Sequence, residues 1–306
     1  MSVPGRNAYR VANIALHTAY LFKIAMTLIS IFHKTVYSYD RGVFLSAHLI
    51  RLKPAAHSPA NIESYELMVH PANHVVHWQQ DVFGNFIARV DFDGPMEAMS
   101  LTVRLTARLK AYDPFDVRID DYAQQFPFDY LPSLRQDLLS YLEVTDQGPR
   151  FEAFVAQLHL PHQDILGCLV SLNNAVYLQI GYTKREQEGV MTSEQTLECS
   201  TGSCRDSAWL LVQVMRRLGL ASRFVSGYLV QSDANRLPVS VDLHAWAEVF
   251  VPGAGWIGLD TTSGLFTSEG HIPLAATPRP SDSAPVTGTT SPSIASIRYE
   301  NTVSAA

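Results

Sequence analysis

The chain has 306 residues, 47% of them hydrophobic and 17% charged, which is enough apolar sequence for real cores and excludes a disordered polypeptide. Its formal net charge of −6 offers no basic field to neutralise a row of phosphates, so nucleic acid is set aside as a partner. Three cysteines, Cys168, Cys199 and Cys204, are too few for a disulfide framework or a paired-cysteine zinc site, and a reducing cytoplasm fits them best.

In chain order, the first feature is an apolar run at residues 11 to 32, VANIALHTAYLFKIAMTLISIF, interrupted by His17 and Lys23. Those two residues, with no Ala-x-Ala pattern after the run, argue against a membrane span and a secretory signal. Residues 1 to 30 are read as a leader or non-native extension, disordered or a loosely attached helix. Met26 is the expected natural start, with residues 1 to 25 as upstream sequence read in frame.

From residue 31 to 110 the chain reads as an antiparallel β-domain. GVFLSAHLIRLKP, SYELMVHP and SLTVRLTARL are β-branched and aromatic runs between Pro, Gly, Asn and Asp, and DVFGNF looks like a hairpin tip. Residues 111 to 131, rich in proline and acids, read as a linker or extended wrap. A helical period begins at Leu134, which places a second domain, the core, at 132 to 270. Residues 271 to 306 turn to Pro, Ser and Thr and are expected as a tail ending in a short strand, SIRYENTV.

Within the core, ECSTGSCRDSAWLL sets Cys204 directly before an amphipathic stretch. Ser203 and Asp206 form an N-terminal box, Ala208, Leu211, Val212, Met215 and Leu218 mark a buried stripe, and Gly219 supplies a left-handed cap. These signals predict a helix from about 204 to 218. A cysteine on its first turn faces unpaired backbone N–H groups and the positive end of the dipole, which favour a thiolate and a developing oxyanion. A buried core thiol is the plainer alternative, since Cys is among the most buried residue types.

Downstream, DLHAWAEVFVPGAGWIGLD reads as a hairpin around Pro-Gly-Ala-Gly. His244 and Asp260 both lie eight residues from Pro252, so pairing centred there sets them opposite each other on one face. A tight tip at Gly253 and Ala254 would spoil that register. In the favourable register Asp260 orients His244, whose other nitrogen takes the thiol proton of Cys204. Asp242, two residues before His244 on the same arm, ranks second as the acid. Trp246 and Trp256, one on each arm, wall the cleft or simply pack.

Together, TGSCRDSAWLLVQVMRRLGLASRFVSGYLV and DLHAWAEVFVPGAGWIGLDTTSG resemble the core of the bacterial transglutaminase-like family, and YSYDRGVFLSAHLIRLKP with HWQQDVFGNFIARVDF is similar to its N-terminal β-domain. The resemblance implies an α+β fold: an antiparallel β-domain, then a papain-like core in which a helix bearing the nucleophile packs on an antiparallel sheet bearing base and acid. It assigns Cys204 as nucleophile, His244 as base and Asp260 as orienting acid, and places Tyr182 where a side-chain donor to the oxyanion is expected. Thr261 stands where the family usually has Pro, and Cys199 is an extra thiol near the nucleophile.

The expected function is thiol-dependent acyl transfer on an amide or peptide carbonyl, with a peptide or amide substrate, no cofactor and no membrane partner. Water as acceptor makes a cysteine peptidase or amidase, an amine makes a transglutaminase, and a binding or assembly module with a relict triad is the contrasting class. No amine channel is visible, which favours hydrolysis. Histidines 70, 74 and 77 are not read as a metal site, because on a strand His74 and His77 point to opposite faces.

Overall fold

The computed structural model describes residues 27–158, 160, 163–232 and 238–306. Most of the expected leader, residues 1–26, lies outside them. The four expected leader residues that follow belong to strand β1 (Thr27–Val43), along which Ile29, Ile31, His33 and Thr35 are buried at alternate positions. The N-terminal region continues through β2 (His48–Ile50), β3 (Asn61–His70), β4 (His74–Gln80), β5 (Phe86–Phe92) and β6 (Met96–Leu109). DVFGNF is the turn joining β4 to β5, which pair from Gln80↔Phe86 to His74↔Phe92.

Helices fill the middle of the chain: α1 (Pro132–Asp137), α2 (Leu139–Leu142), α3 (Pro149–Gln157), α4 (Ile165–Gln179), α5 (Ser193–Cys199) and α6 (Cys204–Arg217). The strands that complete the three larger sheets are β7 (Ser222–Ser232), β8 (Pro238–Val251), β9 (Gly255–Asp260), β10 (Leu265–Phe266), β11 (His271–Thr277), β12 (Val286–Thr287) and β13 (Ala295–Ala305). They build three antiparallel sheets of order β13-β1-β6-β3, β12-β2-β5-β4 and β10-β9-β8-β7-β11. The architecture is α+β, with the helices on the last sheet.

The segment from 271 onward is not a tail. Residues 271–277 are buried throughout and form an edge of the third sheet, while β13 pairs with β1 from Ile29↔Ala305 to Tyr39↔Ala295. Its composition hides this for two physical reasons. Pro273 is tolerated because it sits on an edge strand where the register with β7 shifts. β13 is an exposed edge, so it carries no buried alternation to read.

One apolar cluster joins Ile31, Leu101, Val103 and Leu105 of the first sheet to Tyr228, Val230, Val241, Ile272 and Leu274 of the third. A second packs α4 and α6 on the third sheet, with Leu169, Leu172, Leu211 and Met215 against Ala245, Ala247 and Val249. Segment 111–131 straps across the core: Tyr130 Oη donates to Phe250 O at 2.7 Å and accepts from Ala221 N at 2.9 Å, and Tyr112 Oη donates to Thr267 O at 3.0 Å.

Strand β7 needs Gly227. A Cβ there would lie 2.4 Å from Ile272 O and 2.4 Å from the Trp246 ring. Gly227→Ala is therefore expected to cost roughly 2 kcal/mol or more by overpacking, read as a lowered denaturation midpoint. An unchanged midpoint would show that strand and indole move aside freely.

Candidate active site

The first turn of α6 is fixed from behind by a buried carboxylate. Asp206 accepts from Ser203 N (2.8 Å) and Ser203 Oγ (2.7 Å), from Arg185 Nε (2.9 Å) and Nη2 (2.8 Å), and from Met191 N (2.8 Å). Burial opposes its charge, but these donors outweigh it and hold the carboxyl below its ordinary range. The Ser-x-x-acid pattern pointed to the helix start; Arg185, from a distant loop, gave no local signal. Gly219 closes the helix with φ +83°.

Cys204 is the first residue of α6 and is partly buried. Just before it, Thr201–Gly202 pairs in parallel with Gly181–Tyr182. Tyr182 is 65% exposed. Partial burial and then the neighbouring Cys204 and Asp242 raise its hydroxyl above the ordinary tyrosine value. Tyr177, Ile180, Tyr182, Gly202, Ser207, Thr261 and Thr262 line a small cavity of about 40 Å³.

The hairpin carrying His244 and Asp260 pairs about Gly253 rather than Pro252: Val251 faces Gly255, Phe250 faces Trp256 and Ala247 faces Leu259. Ala254 N donates to Val251 O at 3.0 Å around Pro252 and Gly253, whose φ is +86°, a Pro-Gly arrangement of type II form. Asp260 is thus displaced along the ladder and lies diagonal to His244. Because the displacement is by two residues, the face is kept.

His244 Nε2 lies 3.2 Å from Asp260 Oδ2, with both side chains nearly inaccessible. The approach is an ion-pair contact without a well-aligned hydrogen bond. Burial disfavours charge on the ring, but interactions with Asp260 and then with the Cys204 side chain outweigh it and raise His244 to about 10. Asp260, for all its burial, is held well below the carboxylate range by His244 and His271. The structure therefore brings Cys204, His244 and Asp260 to one place.

His271, the first residue of β11, was missed in the sequence. Its Nε2 also lies 3.2 Å from Asp260 Oδ2, while Ser268 N donates to its Nδ1 at 3.1 Å. The other carboxylate oxygen, Oδ1, accepts from Thr262 N and Thr262 Oγ1, both at 2.8 Å. Thr261, the departure from the family pattern, donates through Oγ1 to Ser207 Oγ at 2.8 Å and so ties the acid loop to α6.

Two histidines and a carboxylate this close also suggest a cation site, since the candidate ligand atoms of His244, Asp260 and His271 lie within 4.8 Å of one another. The hydrogen bonds argue otherwise. A backbone N–H on Nδ1 of His271 leaves the proton on Nε2, which donates to Asp260 and has no lone pair for a metal.

Neither tryptophan forms an open cleft wall. Trp246 is 1% exposed and lies beneath the site, 6.4 Å from the His244 ring and 5.2 Å from that of His271, with Nε1 donating to Glu248 Oε1 at 3.2 Å. Trp256 packs toward the hairpin tip, 5.0 Å from Tyr141, 5.4 Å from Phe250 and 4.1 Å from the Arg223 guanidinium. Asp242 is exposed and accepts from Asn301 Nδ2 at 3.4 Å. Of the remaining thiols, Cys168 is buried and Cys199 exposed.

A solved structure of a candidate cysteine protease from Cytophaga hutchinsonii shares this fold with TM-score 0.69 at 16% identity, over 92% of this chain and 91% of that one. Residues 153–261 match the transglutaminase-like superfamily, which is the class the core belongs to. Residues 29–108 match the bacterial transglutaminase-like N-terminal region. With both regions present in order, the chain belongs to the bacterial transglutaminase-like family. It is similar to uncharacterized proteins of Mycobacterium tuberculosis, 23% identical over 89% of this chain and 84% of that protein, and of Mycobacterium leprae, 22% identical over 84% and 90%.

Proposed function

We propose that the protein is a thiol-dependent acyl-transfer enzyme acting on an amide or peptide carbonyl. The observation that carries this reading is His244 held between the Cys204 side chain and the Asp260 carboxylate at a helix N-terminus. In the proposed reaction the Cys204 thiolate attacks the carbonyl carbon. The oxyanion forms near the free amides of α6, with Tyr182 Oη as a further donor. His244 as imidazolium gives its proton to the leaving amine, and the C–N bond breaks to leave a thioester on Cys204. Water, deprotonated by His244, then attacks the thioester, releasing the acid and regenerating the thiol.

Hydrolysis is favoured over transfer to an amine because Tyr182, which neighbours Cys204, is largely exposed and so lets water approach. Intact-mass trapping of a Cys204 thioester across glutamine, asparagine and peptide substrates tests the reading. Added primary amine then separates the acceptors: a hydrolase releases the acid, a transglutaminase the amide. No adduct on Cys204 with any acyl donor or thiol-directed inhibitor would leave a relict triad. Three cysteines, too few for a disulfide framework, support a reducing compartment, and we propose the cytoplasm; cell fractionation checks this.

The pH dependence has a defined sign. His244 is raised from 6.5 to about 10, so the imidazolium that protonates the leaving amine persists through neutral pH and is lost as pH rises through about 10. The expected kcat/KM profile has its alkaline limb toward that value, with limbs that belong to the coupled thiol–imidazole pair. A limb at the ordinary histidine value of about 6.5 would mean that the pair does not form.

A further inference from the structure

We infer that His271 is a positioning residue for Asp260 and holds it through its Nε2–H. The inference rests on the reading of Asp260 as the orienting acid and goes beyond it, because His271 touches neither the thiol nor any expected substrate atom.

The tautomer follows from the hydrogen bonds. Ser268 N is a donor, so Nδ1 of His271 must present its lone pair, and the ring proton stands on Nε2. That N–H points at Asp260 Oδ2. With Thr262 holding Oδ1 through its amide and hydroxyl, both oxygens are clamped, and the carboxylate cannot rotate about its own axis. His244 approaches the same Oδ2 at 3.2 Å, off the ideal line. The base is therefore paired with a carboxylate whose position is set by other groups. The indole of Trp246 sits against both rings and is itself anchored on Glu248.

Two imidazoles thus share one carboxylate oxygen: His244 on β8 and His271 on β11, with ring centroids 6.1 Å apart. Nδ1 of His271 is taken by a backbone donor, so His244 is the ring left to exchange a proton with the thiol and the leaving group.

Two amide variants separate positioning from filling. The Asn carboxamide occupies the place of Nδ1 and can accept from Ser268 N but cannot reach Asp260. The Gln carboxamide reaches the place of Nε2 and can donate to Oδ2. The readout, which needs no substrate, is the iodoacetamide rate of Cys204 against pH, with the exposed Cys199 as internal reference. We expect wild-type Cys204 to alkylate faster than Cys199 near neutral pH. His271→Asn should change this profile and slow Cys204 alkylation roughly tenfold or more near neutral pH, whereas His271→Gln should stay close to wild type.

If the Asn profile stays at wild type, or the Gln profile moves as far as the Asn one, the positioning role is overturned while the triad stands. If wild-type Cys204 alkylates no faster than the exposed Cys199, the triad reading falls, and this inference with it. Should either variant fail to fold, ¹⁵N-histidine NMR of the unaltered protein decides: His271 must carry its proton on Nε2 and accept at Nδ1. The opposite tautomer would overturn the proposal.

Discussion

Cys204→Ala is expected to abolish turnover and leave the protein folded, and Cys204→Ser is expected to do the same. Alanine is the best helix former, and Cys204 is only partly buried at the first turn of α6, so the fold loses little. The turn itself is held by Asp206, Ser203 and Arg185, none of which depends on the thiol. A hydroxyl at the same place is a far weaker nucleophile against the same base. The loss of kcat should be on the order of 10⁴ or more in both variants, with melting midpoints within a few degrees of wild type. Turnover surviving in both would remove Cys204 from the role of nucleophile.

Asp260→Asn carries the next largest expected effect. Each oxygen of this carboxylate faces hydrogen-bond donors: Thr262 N and Oγ1 on one side, His271 Nε2 and the His244 ring on the other. An amide NH₂ must displace one of these oxygens, and in either orientation a buried donor then meets a donor. Loss of the charge also removes the interaction that keeps the His244 ring protonated. We expect at least about 10²-fold lower kcat/KM and roughly 1–3 kcal/mol lower stability. Asp242→Asn should do far less, because that carboxylate is exposed and contacts Asn301. Steady-state kinetics of the two variants side by side test the assignment. If Asp242→Asn were the more damaging, the acid would have been misassigned, although Cys204 and His244 could stand.

Local signals made much of this legible. The helix from Cys204, its acidic box and its glycine cap depend on neighbours within a few residues, and so does the turn between β4 and β5. The hairpin was legible as a hairpin, but its register depended on whether Pro252 or Gly253 lay at the centre, and only the geometry of the Pro-Gly turn decides that. His271 and Arg185 were invisible for a different reason. Each reaches its carboxylate from a remote segment, and nothing in the spacing of HIPLAAT or TKRE marks the contact. The two tryptophans show the opposite error, since both sit on the correct arms yet one lies beneath the site and the other toward the tip.

The pairing of β13 with β1 also governs the order in which the protein can be completed. A ribosome releases β1 first, and β6 can cover one of its edges soon afterward. The partner for the other edge, residues 295–305, emerges only when almost all the intervening chain has been made, roughly 13 to 50 s later at ordinary elongation rates. Throughout that interval the nascent sheet presents a long row of unpaired amides and carbonyls, the kind of edge that recruits strands from other chains. Polysomes, where several such edges are held close together, are thus the setting in which this fold is most exposed to misassembly. Slowing translation or stripping nascent-chain chaperones should reduce soluble yield more than the stability of the finished protein would suggest.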